Sequence, residues 1–199
     1  MIRVTWEWLG ADVALDIANT VAVANGVEHD LLRPAGGYER WAHFASASPA
    51  LGPSEAAVLR EARSEVLRLR DSIRAVLRAT ASGKPLPTAA VVELNRVSRR
   101  AAEWLELGPN GEARTISPGR PVDRLLAAYA RSAMEIAAAG RTQLRSCPAP
   151  SCGMFYRPRR DTQRWCSTQC GTRARVARHY RAKALQQSPA PIARSGARR

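Results

Sequence analysis

Four cysteines are the residues whose type and spacing predict chemistry most directly. Cys147, Cys152, Cys166 and Cys170 are the only cysteines in this 199-residue chain, and they form a C-x4-C pair, a 13-residue loop and a C-x3-C pair. Two thiolates this close together can bind one ion at about 2.3 Å, and a second pair returned by a loop completes a tetrahedron. Four thiolates leave no open coordination position, so the pattern predicts one structural Zn²⁺ ion.

The alternatives to zinc are iron or an iron–sulfur cluster, two disulfides, or free thiols. The first residues lack the basic and apolar regions of a secretory signal, and Asp12 and Asp16 interrupt their hydrophobic stretch. The sequence has no uncharged apolar run of about 18 residues, which is what spanning a bilayer needs. We therefore expect a cytoplasmic protein without a membrane partner, where cysteines are more often metal ligands than disulfides.

The positive charge of the chain is concentrated around and after the cysteines. The whole sequence has 31 Lys and Arg against 17 Asp and Glu, a net charge of +14. Residues 1–140 carry a net charge of only +1, whereas the remaining 59 residues contain 14 basic residues and a single acid, Asp161. With zinc and four thiolates, this segment retains a charge of about +11. Such asymmetry indicates that one end of the molecule binds a polyanion, most often nucleic acid.

A basic helix is predicted over residues 171–185, directly after the last cysteine. Val176, Tyr180 and Ala184 form a thin apolar stripe at four-residue steps, which predicts that this edge docks on the zinc site. The other faces would then suit the major groove of double-stranded DNA, with a solvated helix or an anionic membrane surface as alternatives. The predicted nucleic-acid-binding residues lie on this helix and in the loop between the cysteine pairs: Arg157, Arg159, Arg160, Arg164, Arg173, Arg175, Arg178, His179, Arg181 and Lys183.

The elements that must position this segment are mainly helices. Apolar periodicity and capping signals predict helices over 12–23, 38–47, 55–81 (with Ser54 as N-cap), 89–103 and 121–139, and a β-hairpin over 104–116. The predicted fold class is mainly α with a small β-hairpin, divided into a helical domain (1–140), a four-cysteine zinc module ending in a basic helix (141–185) and a disordered basic tail (186–199). The common catalytic motifs are absent from the sequence, so we expect no enzyme.

Two stretches resemble a known family. The block C-x4-C-G-M-F-Y…R-W-C-S-T-Q-C-G-T-R-A-R-V-A-R-H-Y resembles the CGNR zinc finger, and A-L-D-I-A-N-T-V at 14–21 resembles the opening motif of the N-terminal domain called ABATE. The resemblance implies a bacterial transcription regulator whose finger binds DNA and whose N-terminal domain senses stress or a ligand. Thr172 stands where the family's Asn would be, so a target preference does not carry over.

Asp16 and Asn19, in the second motif, have two interpretations. They could line a small-molecule pocket, or they could make structural hydrogen bonds such as caps of neighbouring helix termini. The leading hypothesis is a nucleoid-associated DNA-binding regulator whose N-terminal domain senses an effector or forms a homodimer, since dimers read two half-sites. The alternatives are an RNA-binding or ribosome-associated factor, and a small-molecule-binding or enzymatic domain that uses Asp16.

Overall fold

The computed structural model describes residues 12–46 and 58–187 and consists of helices and short antiparallel hairpins. The helices are α1 (Val13–Ala18), α2 (Gly37–Ser46), α3 (Arg63–Ser82), α4 (Thr88–Ser98), α5 (Pro121–Ala139) and α6 (Thr168–Gln187). The strands pair as β1 (Val21–Ala24) with β2 (Val27–Asp30), β3 (Trp104–Leu107) with β4 (Ala113–Ile116), and β5 (Arg145–Ser146) with β6 (Phe155–Tyr156). The mainly α prediction is therefore confirmed. We call the described residues up to 140 the body and residues 141–185 the finger.

The body is built on α3, α4 and α5, which all pack against one another, with α1 against α3 and α5. Their buried apolar side chains recur at three- and four-residue steps, as in Leu69, Ile73 and Leu77 of α3 and Leu126, Tyr129 and Ala133 of α5. Each such side chain contributes about 1.5 to 3 kcal/mol when fully buried. The predicted helices of the body therefore form for the reason used to predict them, which is that each helix has one apolar face.

The helix ends follow local signals with two departures. Gly83 ends α3 in the left-handed conformation at φ 64°, and its N–H bonds to the carbonyls of Ala79 and Thr80. The long predicted helix is interrupted at 62, after a helical turn at 58–61, and its predicted start with Ser54 lies outside the described residues. Helix α4 ends at 98 rather than 103, because the chain must turn into the strand at 104 that pairs with Ala113–Ile116.

The predicted helix over 12–23 is wrong in its second half. It stops at Ala18, and Val21–Ala24 forms a strand that pairs with Val27–Asp30. Asn25 and Gly26 connect the strands with φ values of 52° and 79°. An Asn-Gly pair with positive φ at both residues is the preferred two-residue hairpin turn, and this local signal outweighs the apolar periodicity.

The β1–β2 hairpin is held on α3 by buried arginines. Arg70, which is 4% exposed, donates both terminal nitrogens to the Asp30 carboxylate at 2.8 and 2.7 Å. Arg74 donates to the Ala18 carbonyl at 2.6 Å and to Glu28 at 2.9 Å. The two side chains therefore fix the end of α1 and the hairpin relative to the central helix.

The basic helix forms, but its predicted docking edge is wrong. Val176 and Tyr180 are 49% and 66% exposed, whereas Ala174 and Ala177 are half-buried. The inner side of α6 therefore carries the two alanines, whose small side chains allow close packing against the rest of the finger. Of the predicted disordered tail, residues 186 and 187 belong to α6, and the rest lies outside the described residues. No helix within 12–46 or 58–187 is long and apolar enough to cross a membrane.

Candidate metal centre and nucleic-acid interface

The short hairpin β5–β6 and the start of α6 bring the four cysteines together. Cys147 follows β5 and Cys152 precedes β6, while Cys170 lies in the first turn of α6. All four Sγ atoms lie within 4.8 Å of one another. The backbone N–H of Cys147 bonds to the Met154 carbonyl at 2.8 Å and closes the segment 147–154, which we call the first cysteine loop.

The sulfur geometry fits one zinc ion. A tetrahedron with zinc–sulfur bonds of about 2.3 Å has edges of about 3.8 Å. The Sγ atoms of Cys152 and Cys166 are 3.6 Å apart, and those of Cys166 and Cys170 are 3.5 Å apart. None of the four is disulfide-bonded, and three of them are buried. The prediction of one structural zinc ion at these cysteines is confirmed.

The pKa values of the thiols also favour a bound cation. Hydrogen bonds from Cys152 and Cys166 lower the pKa of Cys147 to about 2. Hydrogen bonding to Cys147 raises the pKa of Cys152 to about 12, and it raises the pKa of Cys166 as well. A divalent metal ion among the sulfurs would favour the thiolate form of Cys152 and Cys166, since coordination deprotonates a thiol.

Arg173 adds a second positive charge at the sulfur cluster. Its Nη2 donates to the Cys170 Sγ at 2.9 Å, and its Nη1 donates to the Ser151 carbonyl at 3.4 Å. The guanidinium therefore joins the first turn of α6 to the first cysteine loop. The sequence predicted a nucleic-acid contact for Arg173, and the structure places it against a metal ligand.

The loop between the cysteine pairs is fixed by two polar residues that sequence reasoning missed. Arg145 donates to the carbonyls of Gln163 and Asp161, the latter at 2.9 Å. The Gln163 side chain accepts from the N–H of Arg159 at 2.7 Å and donates to the Trp165 carbonyl at 2.9 Å. Their sequence signal was weak, since Gln and Arg in a basic loop are usually solvated.

Asn19 joins the body to the finger. Its Nδ2 donates to the Phe155 carbonyl at 3.0 Å, and its Oδ1 accepts from the Phe155 N–H at 2.8 Å. The side chain therefore pairs with one residue of β6 much as a neighbouring strand would, and it is 4% exposed. This is the structural role, with the backbone of β6 as the partner in place of a helix terminus.

Asp16 lies on α1, three residues before Asn19, but its side chain is in a different environment. Its side chain is buried at 4% exposure. The pKa of the buried Tyr129 is raised by desolvation first and then by the negative charge of Asp16. Asp16 therefore faces the interior between α1 and α5, while Asn19 faces the finger.

Further contacts extend this junction. The N–H of Val23 donates to the Cys152 carbonyl at 3.2 Å, and that of Asn25 donates to the Ser151 Oγ at 3.3 Å. The Arg157 guanidinium pairs with the Asp12 carboxylate at 2.9 Å. The β1 strand and its turn thus contact the first cysteine loop, and Asp12, which precedes α1, contacts the loop between the cysteine pairs.

The ten predicted nucleic-acid-binding residues fall into two groups. Arg157 and Arg173 make the contacts described above within the protein. All ten are exposed, and the other eight, of which Arg175 also donates to Thr172 at 3.0 Å, lie in the loop between the cysteine pairs or on α6: Arg159, Arg160, Arg164, Arg175, Arg178, His179, Arg181 and Lys183. The finger therefore presents a broad basic surface beside the metal centre.

Two family models match consecutive parts of the chain. The model described as "ABATE: Putative stress-induced transcription regulator" matches residues 11–140, and the model described as "CGNR zinc finger" matches residues 143–183. Both agree with the resemblances drawn from the residues. No curated protein matches the chain.

Proposed function

The chain belongs to the ABATE family and ends in a CGNR zinc finger, and from this premise we propose that it is a transcription regulator that binds double-stranded DNA. The observation that carries the proposal is the position of the charge. Eight exposed basic side chains lie on a metal-held element, and Asp161 is the single acid after 140. Phosphate contacts by Arg and Lys supply most of the affinity of such surfaces for DNA.

The form of α6 favours the major groove as the binding site. The helix has 20 residues and is therefore about 30 Å long. Of its residues up to 184, Cys170 and Gly171 in the first turn are buried, Ala174 and Ala177 are half-buried, and exposed arginines lie on several sides of the helix. The major groove is about 12 Å wide and admits one α-helix.

We propose a regulatory role without catalysis for the body, with action at the nucleoid in the cytoplasm. Asn19 and Arg157 connect the body to the finger, so a ligand or a second copy bound by the body would reach the DNA-binding surface through these contacts. A homodimer would present two fingers to two half-sites. A small-molecule site at Asp16 is the weaker form of this proposal, because Asn19 is already engaged with Phe155.

The salt dependence of duplex binding tests the proposal. If about six phosphates are neutralised, the logarithm of the association constant should fall with the logarithm of salt concentration at a slope near −5. Fluorescence anisotropy with a labelled duplex at several salt concentrations gives this slope. Arg178→Ala should weaken binding and reduce the slope by about 1, whereas Arg99→Ala on the body removes the same charge without effect. A flat salt dependence would contradict DNA binding.

Competition separates DNA from RNA as the partner. Structured RNA and duplex DNA of equal length are added at fixed salt to the labelled complex. We expect duplex DNA to compete better, because the proposed contact is an α-helix in a major groove, and A-form RNA has a groove too narrow for side chains to read. Stronger competition by RNA would favour the RNA-binding alternative.

A further inference from the structure

A cavity of about 250 Å³ lies in the finger beside α6. Residues of the first cysteine loop, the loop between the cysteine pairs and α6 line it together. They combine three arginines with a flat apolar surface: Arg164, Arg178, Arg181, Pro148, Pro150, Trp165 and Ala174.

The spacing of the α6 residues explains the cavity. Ala174, Arg178 and Arg181 follow one another at steps of four and three residues, so they lie on one face of the helix. The small side chain of Ala174 leaves space next to the cysteine loop, and the two arginines reach past it. Arg164 enters from the loop between the cysteine pairs.

The positive charges at the cavity are not neutralised within the protein. Among the residues that the structure describes, no carboxylate lies within 4 Å of the guanidinium groups of Arg164, Arg178 or Arg181. Arg70 and Arg74 of the body, by contrast, both pair with acids. Three cations around one cavity are therefore available to an anionic ligand.

Trp165 supplies a flat apolar surface at the same place. One edge of its ring packs close to Gly171, where a Cβ atom would lie 3.3 Å from the ring, and the side chain is half-buried. The ring also lines the cavity, together with two prolines. Aromatic rings next to arginines are the surface on which proteins stack unpaired bases.

We propose that this cavity binds one unstacked nucleotide, with its base against Trp165 and its phosphate held by the arginines. The volume is slightly below the roughly 300 Å³ at which typical ligand pockets begin, which suits one nucleotide rather than a longer segment. The proposal rests on the proposed function, since Arg178 and Arg181 belong to the DNA-binding helix. The nucleotide can come from an unpaired position in DNA or from a free mononucleotide, which offer the same chemistry.

Three labelled duplexes with the same paired sequence test the first source, using the zinc-loaded full chain. One is fully paired, one has a single unpaired thymidine, and one has an abasic residue at that position, which keeps the phosphate and removes the base. We expect the duplex with the unpaired thymidine to bind about 5- to 150-fold tighter than the other two, which is the gain that stacking one base on an aromatic side chain gives.

Three variants of the loop between the cysteine pairs test whether this preference comes from the cavity. Arg164→Ala should weaken binding of the duplex with the unpaired thymidine more than Arg160→Ala does, because only Arg164 lines the cavity, although both variants remove one exposed charge from the same loop. Trp165→Leu, with its zinc content verified, tests the stacking surface while retaining apolar volume. A preference that all three variants keep would overturn the assignment.

Free thymidine monophosphate tests the second source. We expect it to displace the labelled duplex that contains the unpaired thymidine, and we expect equal concentrations of inorganic phosphate and thymidine not to do so. Displacement by thymidine monophosphate, without a preference for the duplex with the unpaired thymidine, supports the cavity as a binding site for free nucleotides. Equal affinity for all three duplexes without displacement would overturn the proposal. Failure of the fully paired duplex to bind at low salt would instead contradict the proposed function.

Discussion

At the scale of single residues, Asp16 and Asn19 have different roles, although both belong to the motif A-L-D-I-A-N-T-V. Asn19 satisfies both backbone groups of Phe155, which are buried and belong to the first cysteine loop's return strand. A carboxylate at this position would accept the N–H and repel the carbonyl, so only an amide meets both needs. The residue type therefore follows from the partner, and the partner lies 136 positions away, which is why the sequence alone left the role of Asn19 open.

Substituting Asn19 tests its role as the link between body and finger. Asn19→Ala leaves the Phe155 N–H and carbonyl buried without partners, so we expect the free energy of unfolding to fall by about 2 to 4 kcal/mol. Denaturant unfolding measures this loss, and chelator competition should show faster release of zinc. The matched control is Asn95→Ala on α4, where the side chain is half-buried and we expect a change of about 0.5 kcal/mol or less. Equal losses in the two variants would contradict a specific role for Asn19.

At the scale of elements, the helices with one apolar face were predictable and the short strands were only partly so. The periodicity of α3 and α5 extends over many turns, and the capping residues Gly83 and Pro121 mark their ends. The 104–116 hairpin is confirmed, with Trp104 opposite Ile116. The β1–β2 hairpin was missed because its first strand continues an apolar helical pattern. The docking of α6 was misjudged because its inner face consists of alanines, which carry little apolar signal.

The contact between β1 and the first cysteine loop depends on a glycine, Gly153. Gly153 has φ 69°, and a Cβ atom there would lie 2.4 Å from the Cγ2 of Val23. Only glycine therefore allows the loop both to turn and to lie against the strand. The β1–β2 hairpin positions the finger through this contact. No pattern in the sequence relates Val23 to Gly153, so the contact was not predicted.

Gly153→Ala should therefore destabilise the protein by more than the left-handed conformation alone. That conformation costs about 1 to 2 kcal/mol for alanine, and the contact with Val23 adds to it. Gly26→Ala is the matched control, since Gly26 has φ 79° and nothing within 4 Å of the added atom. We expect Gly153→Ala to lower the free energy of unfolding by at least about 1 kcal/mol more than Gly26→Ala. The double variant Val23→Ala, Gly153→Ala should regain part of that difference; additive effects would show that the two residues do not interact.

At the scale of the whole molecule, the metal centre holds a segment that could not fold on its own core. The finger has about 45 residues, and below about 70 to 80 residues a single apolar core rarely supplies more than about 3 to 5 kcal/mol, so that such domains commonly use disulfides or a metal. Its buried cluster consists largely of the cysteines themselves, with Ala149 and Tyr156. The body has its own apolar core, which includes two finger residues, Leu144 and Phe155. The metal therefore determines the fold of the finger and of the junction, and the body should keep most of its fold without it.

Removal of zinc should accordingly unfold the finger and loosen only the adjacent edge of the body. Chelation should release one zinc ion per chain, and hydrogen exchange should then show lost protection at the amides of Val23 and Cys147, whose acceptors lie in the first cysteine loop. The amide of Leu31 is the internal control, because it donates to the Thr20 carbonyl within the body at 2.9 Å and should stay protected. Amides of α3 and α5 should also keep their protection, since their core does not include the cysteines. Retained protection at Val23 would mean that the metal does not hold the junction, and loss at Leu31 would mean that body and finger unfold as one unit.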